Sequence, residues 1–79
     1  MRMYFNLTEG TKTFIDEEGF EVADIVEAKR RAVIAARALI AAQVQDGYLD
    51  TAARIEIAGG DGDIKLIVPF SDVFIEKSN

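Results

Sequence analysis

The residues whose types and spacing come closest to a chemical site are carboxylates. Five acidic residues fall within a short stretch, and they are Asp16, Glu17, Glu18, Glu21 and Asp24. Grouped carboxylates bind hard cations such as calcium or magnesium, but this spacing matches no defined cation-binding loop. Acidic side chains also stabilise the positive end of a helix dipole. We therefore interpret the group as a solvated turn that favours the helix after it, and we expect no metal and no cofactor. We expect the chain to leave the sheet at residues 16–19, because acidic residues are depleted in strands and Gly19 permits a left-handed turn.

A second candidate is the segment 59–63, which reads Gly-Gly-Asp-Gly-Asp. The glycine-aspartate calcium repeat needs an aspartate where this chain has Ile64, and it needs many stacked copies. The segment also lacks the distal glutamate of an EF-hand and the lysine of a phosphate-binding loop. It therefore predicts a flexible hairpin loop.

The chain lacks the side chains that most often act in catalysis. The chain has no histidine and no cysteine, so it lacks the usual general base, the usual activator of a serine nucleophile and the usual zinc ligands. The serines are Ser71 and Ser78, and Ser71 follows Pro69-Phe70 as a turn or capping residue would. We predict that the protein is not an enzyme and has no catalytic residues.

The net charge of −5 argues against nucleic acid and anionic lipid as partners. The local exception is the basic run 29–31, but successive helical residues point about 100° apart, and Glu27 lies within ion-pairing reach of two of its arginines. We interpret the run as a solvated surface, although its arginines could grip an acidic partner. Tyr4 and Phe14 could stack a nucleic-acid base, but on an acidic domain we interpret them as packing residues.

Alternating apolar residues predict four strands. Segments 2–7, 52–58 and 64–69 alternate with the period of a half-buried strand. The alternation puts Met3, Phe5 and Leu7 on one side of the first segment, and Ile64, Leu66 and Val68 on one side of the last. Segment 11–15 is rich in β-branched and aromatic residues, and glycine-containing turns join each pair into a hairpin. Pro69 removes a backbone donor and limits the last strand.

One long helix is predicted between the hairpins, over about 24–46. Asp24 and Glu27 have the spacing of a capping box, and no glycine or proline interrupts the segment before Gly47, where a helix commonly ends. The apolar residues that share one broad face, and that we expect to cover the sheet, are Ile25, Val26, Val33, Ala36, Leu39, Ile40 and Val44, widened by Ala28 and Ala32.

These elements predict a single domain over residues 1–79 of the α+β class. The element order is ββαββ, with the helix packed across one face of a four-stranded, mainly antiparallel sheet. The predicted core contains Phe5, Leu7, Val33, Ile40, Ile55, Ile57, Leu66 and Val68. A folded monomer of 8.7 kDa exposes about 4,700 Å². No segment is apolar for the length of a membrane span, and the first apolar run is too short for a signal peptide, so we expect a cytoplasmic protein.

Several segments together resemble a family of short uncharacterised bacterial proteins that share a domain of unknown function. They are Tyr4-Phe5-Asn6-Leu7, Asp16-Glu17-Glu18-Gly19, the alanine-rich helix, Arg54-Ile55-Glu56-Ile57 and Pro69-Phe70. The resemblance covers nearly the whole chain. It implies a bacterial, cytoplasmic origin and a hairpin-helix-hairpin layout, and it carries no catalytic residues over to this chain.

Surfaces are therefore the remaining candidates for function. Our leading hypothesis is a small non-catalytic interaction module that self-associates as a dimer, and the alternative is a regulatory or antitoxin-like protein that binds a partner. Two apolar features lack an evident partner within the chain: one on the outer helix surface and one in the tail after the last strand. The candidate interface residues are Ile34, Ala38, Ala41, Val73, Phe74 and Ile75. We favour the tail, because its three large side chains could bury more area.

Overall fold

A computed structural model describes residues 1–78, and over these residues one α-helix packs across an antiparallel sheet of five strands. The strands are β1 (Arg2–Glu9), β2 (Lys12–Phe14), β3 (Phe20–Glu21), β4 (Arg54–Ala58) and β5 (Ile64–Pro69). The helix α1 spans Ile25–Gln45, and a 3-10 helix spans Phe70–Asp72. The predicted α+β class, with the helix across the sheet, is confirmed.

The sheet has the strand order β2-β1-β4-β5, and β3 is the strand that the sequence did not predict. We expected the chain to leave the sheet at Asp16-Gly19. Instead, Phe20 pairs with Met3 and Glu21 pairs with Arg2, so that β3 lies beside β2 along the same edge of β1. A strand of two residues is too short to show an alternating pattern.

The other boundaries lie within about two residues of the predicted ones, as is usual for element ends. β1 continues to Glu9, β2 covers only part of 11–15, β4 begins at Arg54, and β5 has the predicted range. The helix is one residue shorter at each end than 24–46, because Asp24 is its N-cap and Asp46 its C-cap.

The core lies between α1, the two central strands, β5 and the 3-10 helix. Among the predicted core residues, Ile55, Ile57 and Val68 are buried. The remaining five are only half-buried and pack against the core from its margin, and they are Phe5, Leu7, Val33, Ile40 and Leu66.

Alanines form the part of α1 that meets the sheet. Ala28, Ala32 and Ala36, spaced one helical turn apart, are completely buried. Three larger residues that we predicted on this face are exposed instead, and they are Ile25, Val26 and Val44. A side chain of a single methyl group leaves little space between helix and sheet, so the larger apolar residues lie along the margins of the contact.

A β-bulge in β5 reverses the predicted orientation of Ile64. Ile57 pairs with Leu66, but the next residue, Ala58, pairs with Ile64, so Lys65 is an extra residue on β5. An extra residue moves the side chains beyond it to the other face of the sheet. Ile64 therefore lies on the face away from the helix and is 52% exposed, whereas we expected it to alternate in step with Leu66 and Val68.

The 3-10 helix directs the start of the predicted free tail into the core. Phe70 is completely buried, and its N–H donates to the Ala53 carbonyl at 2.9 Å. Val73 is only 4% exposed, and its carbonyl accepts a hydrogen bond of 2.8 Å from Arg37 Nε. The prediction that Val73 lacks a partner within the chain is wrong. Phe74 and Ile75 remain exposed.

Candidate interaction surfaces

The acidic turn has a structural role that centres on Asp16. Its Oδ2 accepts the Phe5 N–H at 3.1 Å, and its Oδ1 accepts the N–H groups of Gly19 and Glu18 at 2.9 and 3.2 Å. The carboxylate thus occupies the edge of β1 between the places where β2 and β3 pair with it. Because both oxygens bind backbone donors, the turn is held to the sheet by Asp16.

The protonation of Asp16 follows from the same contacts. Burial opposes ionisation of its carboxyl group, but the N–H groups of Gly19, Phe5 and Glu18 favour the charged form, and the net effect is a lowered pKa. Over residues 1–78, no group of three histidine, cysteine, aspartate or glutamate side chains is placed to hold a metal ion. In the same range, no helix is long and apolar enough to cross a membrane.

The segment 59–63 connects β4 to β5, as the hairpin prediction required. Asp61 Oδ1 accepts the Asp63 N–H at 3.0 Å, and its Oδ2 lies 3.1 Å from Lys65 Nζ. The pKa of Asp61 is lowered, most by the hydrogen bond from the Asp63 N–H and next by the hydrogen bond from Lys65. Both carboxylate oxygens of Asp61, the aspartate that suggested calcium binding, therefore contact donors within the hairpin.

The sheet face away from α1 is polar at its centre. Thr8 Oγ1 donates to Glu56 Oε1 at 3.2 Å and lies 3.4 Å from Thr13 Oγ1. Arg54 Nε lies 3.6 Å from the same Glu56 oxygen. The network buries Thr8 without a second layer of structure.

An apolar groove of about 210 Å³ lies between α1 and the β1-β3 side of the sheet. Phe5, Phe20, Ile34 and Ala35 line it, and Arg31 closes one side. Phe20 and Ile34 are 46% and 55% exposed. Phe14 is also exposed and lies on the same sheet face as Phe5, because it pairs with Leu7. We call the surface of Phe5, Phe14, Phe20, Ile34 and Ala35 the flank surface.

A second groove, of about 360 Å³, lies between α1 and β5. We call it the β5 groove. Its apolar lining includes Val33, Leu66, Val68 and Val73, and its charged lining residues are Lys29 and Asp72. Since β3 and β5 lie at opposite edges of the sheet, the flank surface and the β5 groove lie on opposite sides of α1.

The structure separates the predicted interface residues. Ile34 belongs to the flank surface, and Ala38 is exposed one turn further along the helix. Ala41 is exposed, and Val73 lies across the helix in the β5 groove. Phe74 and Ile75 belong to neither lining. The interface predicted from the sequence did not include the phenylalanines beside Ile34. The pairing register of the first hairpin would have placed Phe14 on the same sheet face as Phe5.

A family model described as domain of unknown function (DUF6894) matches residues 2–71. Neither the curated proteins nor the solved structures contain a match to this chain.

Proposed function

The chain belongs to the DUF6894 family, a domain of unknown function, and we propose that it acts as a small non-catalytic interaction module that dimerises through the flank surface. The observation that carries the proposal is the open apolar groove that Ile34, Phe5 and Phe20 line on one side of the helix. Contiguous exposed apolar surface of this kind marks protein interaction sites. The lack of histidine and cysteine supports the non-catalytic part.

The molecule exposes more surface than is expected of a monomer of its mass, which supports burial of part of that surface by a partner. The accessible surface is 5472 Å², whereas a monomer of this mass exposes about 4,700 Å². The difference is close to the roughly 800 Å² that each partner buries in an interface of standard size. The segment after Val73 accounts for part of the difference, and Phe14, Phe20 and Ile34 of the flank surface also contribute to it.

The shape of the molecule supports the same conclusion. The radius of gyration is 13.0 Å, and a compact domain of this length has about 11.6 Å. The smallest extent is 16 Å, because the molecule is only one sheet and one helix thick. A second copy on the flank surface would cover the apolar side chains of β1, β2 and β3 that α1 leaves exposed.

The charge of the flank surface permits a second copy as the occupant. Two copies that each carry −5 repel each other overall, so they meet at least cost where the local charge is neutral. At the flank surface, Arg31 Nε lies 3.6 Å from Glu27 Oε1, and the remaining residues are apolar. A two-fold axis places the same surface of both copies together, which an apolar, neutral surface tolerates. We further propose a bacterial cytoplasmic setting, on the resemblance described above.

Light scattering after size exclusion, at about 50 µM and hence well above a micromolar dissociation constant, tests the proposal. We expect the wild-type protein to be a dimer and Ile34→Asp to be a monomer. Val44→Asp is the matched control, because Val44 is 59% exposed on the same helix but lies outside the flank surface. It should remain a dimer, as should Phe74→Asp.

Three results would contradict the proposal. They are a monomeric wild-type protein, a dimer that Ile34→Asp leaves intact, and a dimer that Phe74→Asp disrupts while Ile34→Asp does not. The last result would show that the dimer interface lies in the tail after the last strand. Circular dichroism of each variant checks that a change of mass does not reflect unfolding.

A further inference from the structure

At the β5 groove, the positive charges of Lys29 and Arg37 outnumber the single negative charge of Asp72. Over residues 1–78, Lys29 and Arg37 take part in no ion pair within 4.0 Å, whereas Arg31 on the other side of the helix is paired. Arg37 reaches the end of the groove, where its Nε donates to the Val73 carbonyl. Asp72 contributes one negative charge. The groove is thus net positive on a protein of net charge −5.

The free edge of β5 presents backbone hydrogen-bonding groups beside this groove. The Phe5 N–H points away from β4, because it donates to Asp16. Its partner Ile57 therefore directs its own backbone groups toward β5, where it pairs with Leu66. Backbone groups alternate in direction along a strand, so Ile67 directs its N–H and C=O outward, away from the sheet.

The edge is short, which limits what can bind there. Pro69 also faces outward, but it has no N–H to donate, and the bulge at Lys65 interrupts the other end of the strand. Such features protect an edge strand from open-ended pairing. One complete donor and acceptor pair at Ile67, with the carbonyl of Pro69, is enough for a segment of a few extended residues.

We propose that the β5 groove binds a short extended peptide that presents both apolar side chains and carboxylates on its face toward α1, at every second residue. The peptide backbone pairs with Ile67 as in β-strand addition. Its apolar side chains enter the groove against Val33, Leu66 and Val73, and its carboxylates meet Lys29 and Arg37. An extended nucleic acid fits less well, because phosphate contacts make no use of an apolar floor or of a strand edge.

Fluorescence anisotropy tests the proposal with a labelled seven-residue peptide in which glutamate and valine alternate at the odd positions, which share one face of a strand, and serine fills the even positions. We expect saturable binding to the full chain, weakened about tenfold by Lys29→Glu. Arg30→Glu makes the same change of charge at a residue that does not line the groove, and it should change the affinity by less than about twofold. Ile67→Pro removes the outward N–H and should abolish binding, while Ile67→Ala retains the backbone group and should bind.

Further probes separate the proposal from its competitors. Equal binding of a peptide with lysine in place of the glutamates would contradict the role of charge, and equal binding of one with serine in place of the valines would contradict the role of the apolar floor. Tighter binding of a 20-nucleotide single-stranded DNA, also lost in Lys29→Glu, would assign the groove to nucleic acid. Binding only by a variant that ends at Val73 would show that the chain's own tail fills the groove. The Ile34→Asp variant should still bind the peptide, so this result is independent of dimerisation.

Discussion

The rings of Phe5 and Phe20 pack with their centroids 5.1 Å apart and their planes inclined by 37°. Phe20 belongs to the short strand β3, which pairs with the first residues of β1. Tilted aromatic pairs of this kind contribute about 0.5–1.5 kcal/mol beyond the area they bury. The pair therefore helps to hold β3 in the sheet, yet it leaves nearly half of the Phe20 side chain exposed on the flank surface.

Phe20→Ala should weaken the dimer, because it removes the largest exposed side chain beside Ile34. A dimer melts at a higher temperature when the protein is more concentrated, since association stabilises the folded state by mass action. We expect the wild-type Tm to rise between about 5 and 200 µM, and the Tm of Phe20→Ala to change much less. Circular dichroism measures both. A wild-type Tm that does not depend on concentration would contradict the prediction.

Burial predicts a specific order of stability among core variants. Ile57 is completely buried, whereas Ile40 is half-buried at the margin of the core. Replacing a buried isoleucine by alanine costs about 2–5 kcal/mol, and the cost rises with the cavity that remains. We expect Ile57→Ala near the upper end of this range and Ile40→Ala near or below the lower end, measured by urea unfolding at one protein concentration. Equal or reversed costs would show that the core is centred elsewhere.

The sequence was sufficient to predict the features that depend only on local strand periodicity and helix capping. The alternation of residues 2–7 correctly placed Met3, Phe5 and Leu7 on the face that meets the helix. The predicted capping box is present, because Asp24 Oδ1 accepts the Glu27 N–H at 2.9 Å. Its return bond differs slightly, since Glu27 Oε1 accepts from the Ala23 N–H and not from Asp24. Both features depend only on residues close together in the chain.

The features that the sequence did not reveal depend on tertiary contacts. β3 forms where Asp16 and the pairing with β1 bring Phe20 back to the sheet. The bulge at Lys65 leaves the apolar pattern of β5 intact while it changes the face of Ile64. Val73 is buried because the 3-10 helix turns it inward. The flank surface likewise joins residues from four separate elements, so no single stretch of sequence displays it.

Two glycines in turns test how tightly the first edge of the sheet is packed. Gly19 and Gly10 both have positive φ, at 76° and 59°. A Cβ on Gly19 would lie 2.9 Å from the Met3 carbonyl oxygen, whereas a Cβ on Gly10 would meet nothing within 4 Å. A left-handed conformation costs a non-glycine residue about 1–2 kcal/mol.

We therefore expect Gly10→Ala to lose about that amount of stability, and Gly19→Ala to lose clearly more because of the added clash with the backbone of β1. Thermal unfolding of the two variants beside the wild type measures the difference. Equal losses would indicate that the turn before β3 can move away from β1.

Asp16 makes a pH-dependent contribution to stability. Its carboxylate accepts hydrogen bonds from three backbone N–H groups, and its pKa is lowered in the folded protein. A carboxyl group with a lowered folded-state pKa stabilises the fold fully above its unfolded pKa, which is about 3.9. That contribution is lost as the pH falls through the lower folded value.

Asp16→Ala should therefore destabilise the protein by about 1–3 kcal/mol at pH 7, because it leaves backbone donors at the edge of β1 without an acceptor. The gap between variant and wild type should narrow as the pH falls below about 4. Glu17→Ala is the control, since Glu17 is the exposed neighbouring acid and should change stability by less than about 0.5 kcal/mol. Urea unfolding of the three proteins across this pH range measures the effect. A gap that stays constant from pH 7 to low pH would show that Asp16 acts through packing and not through its charge.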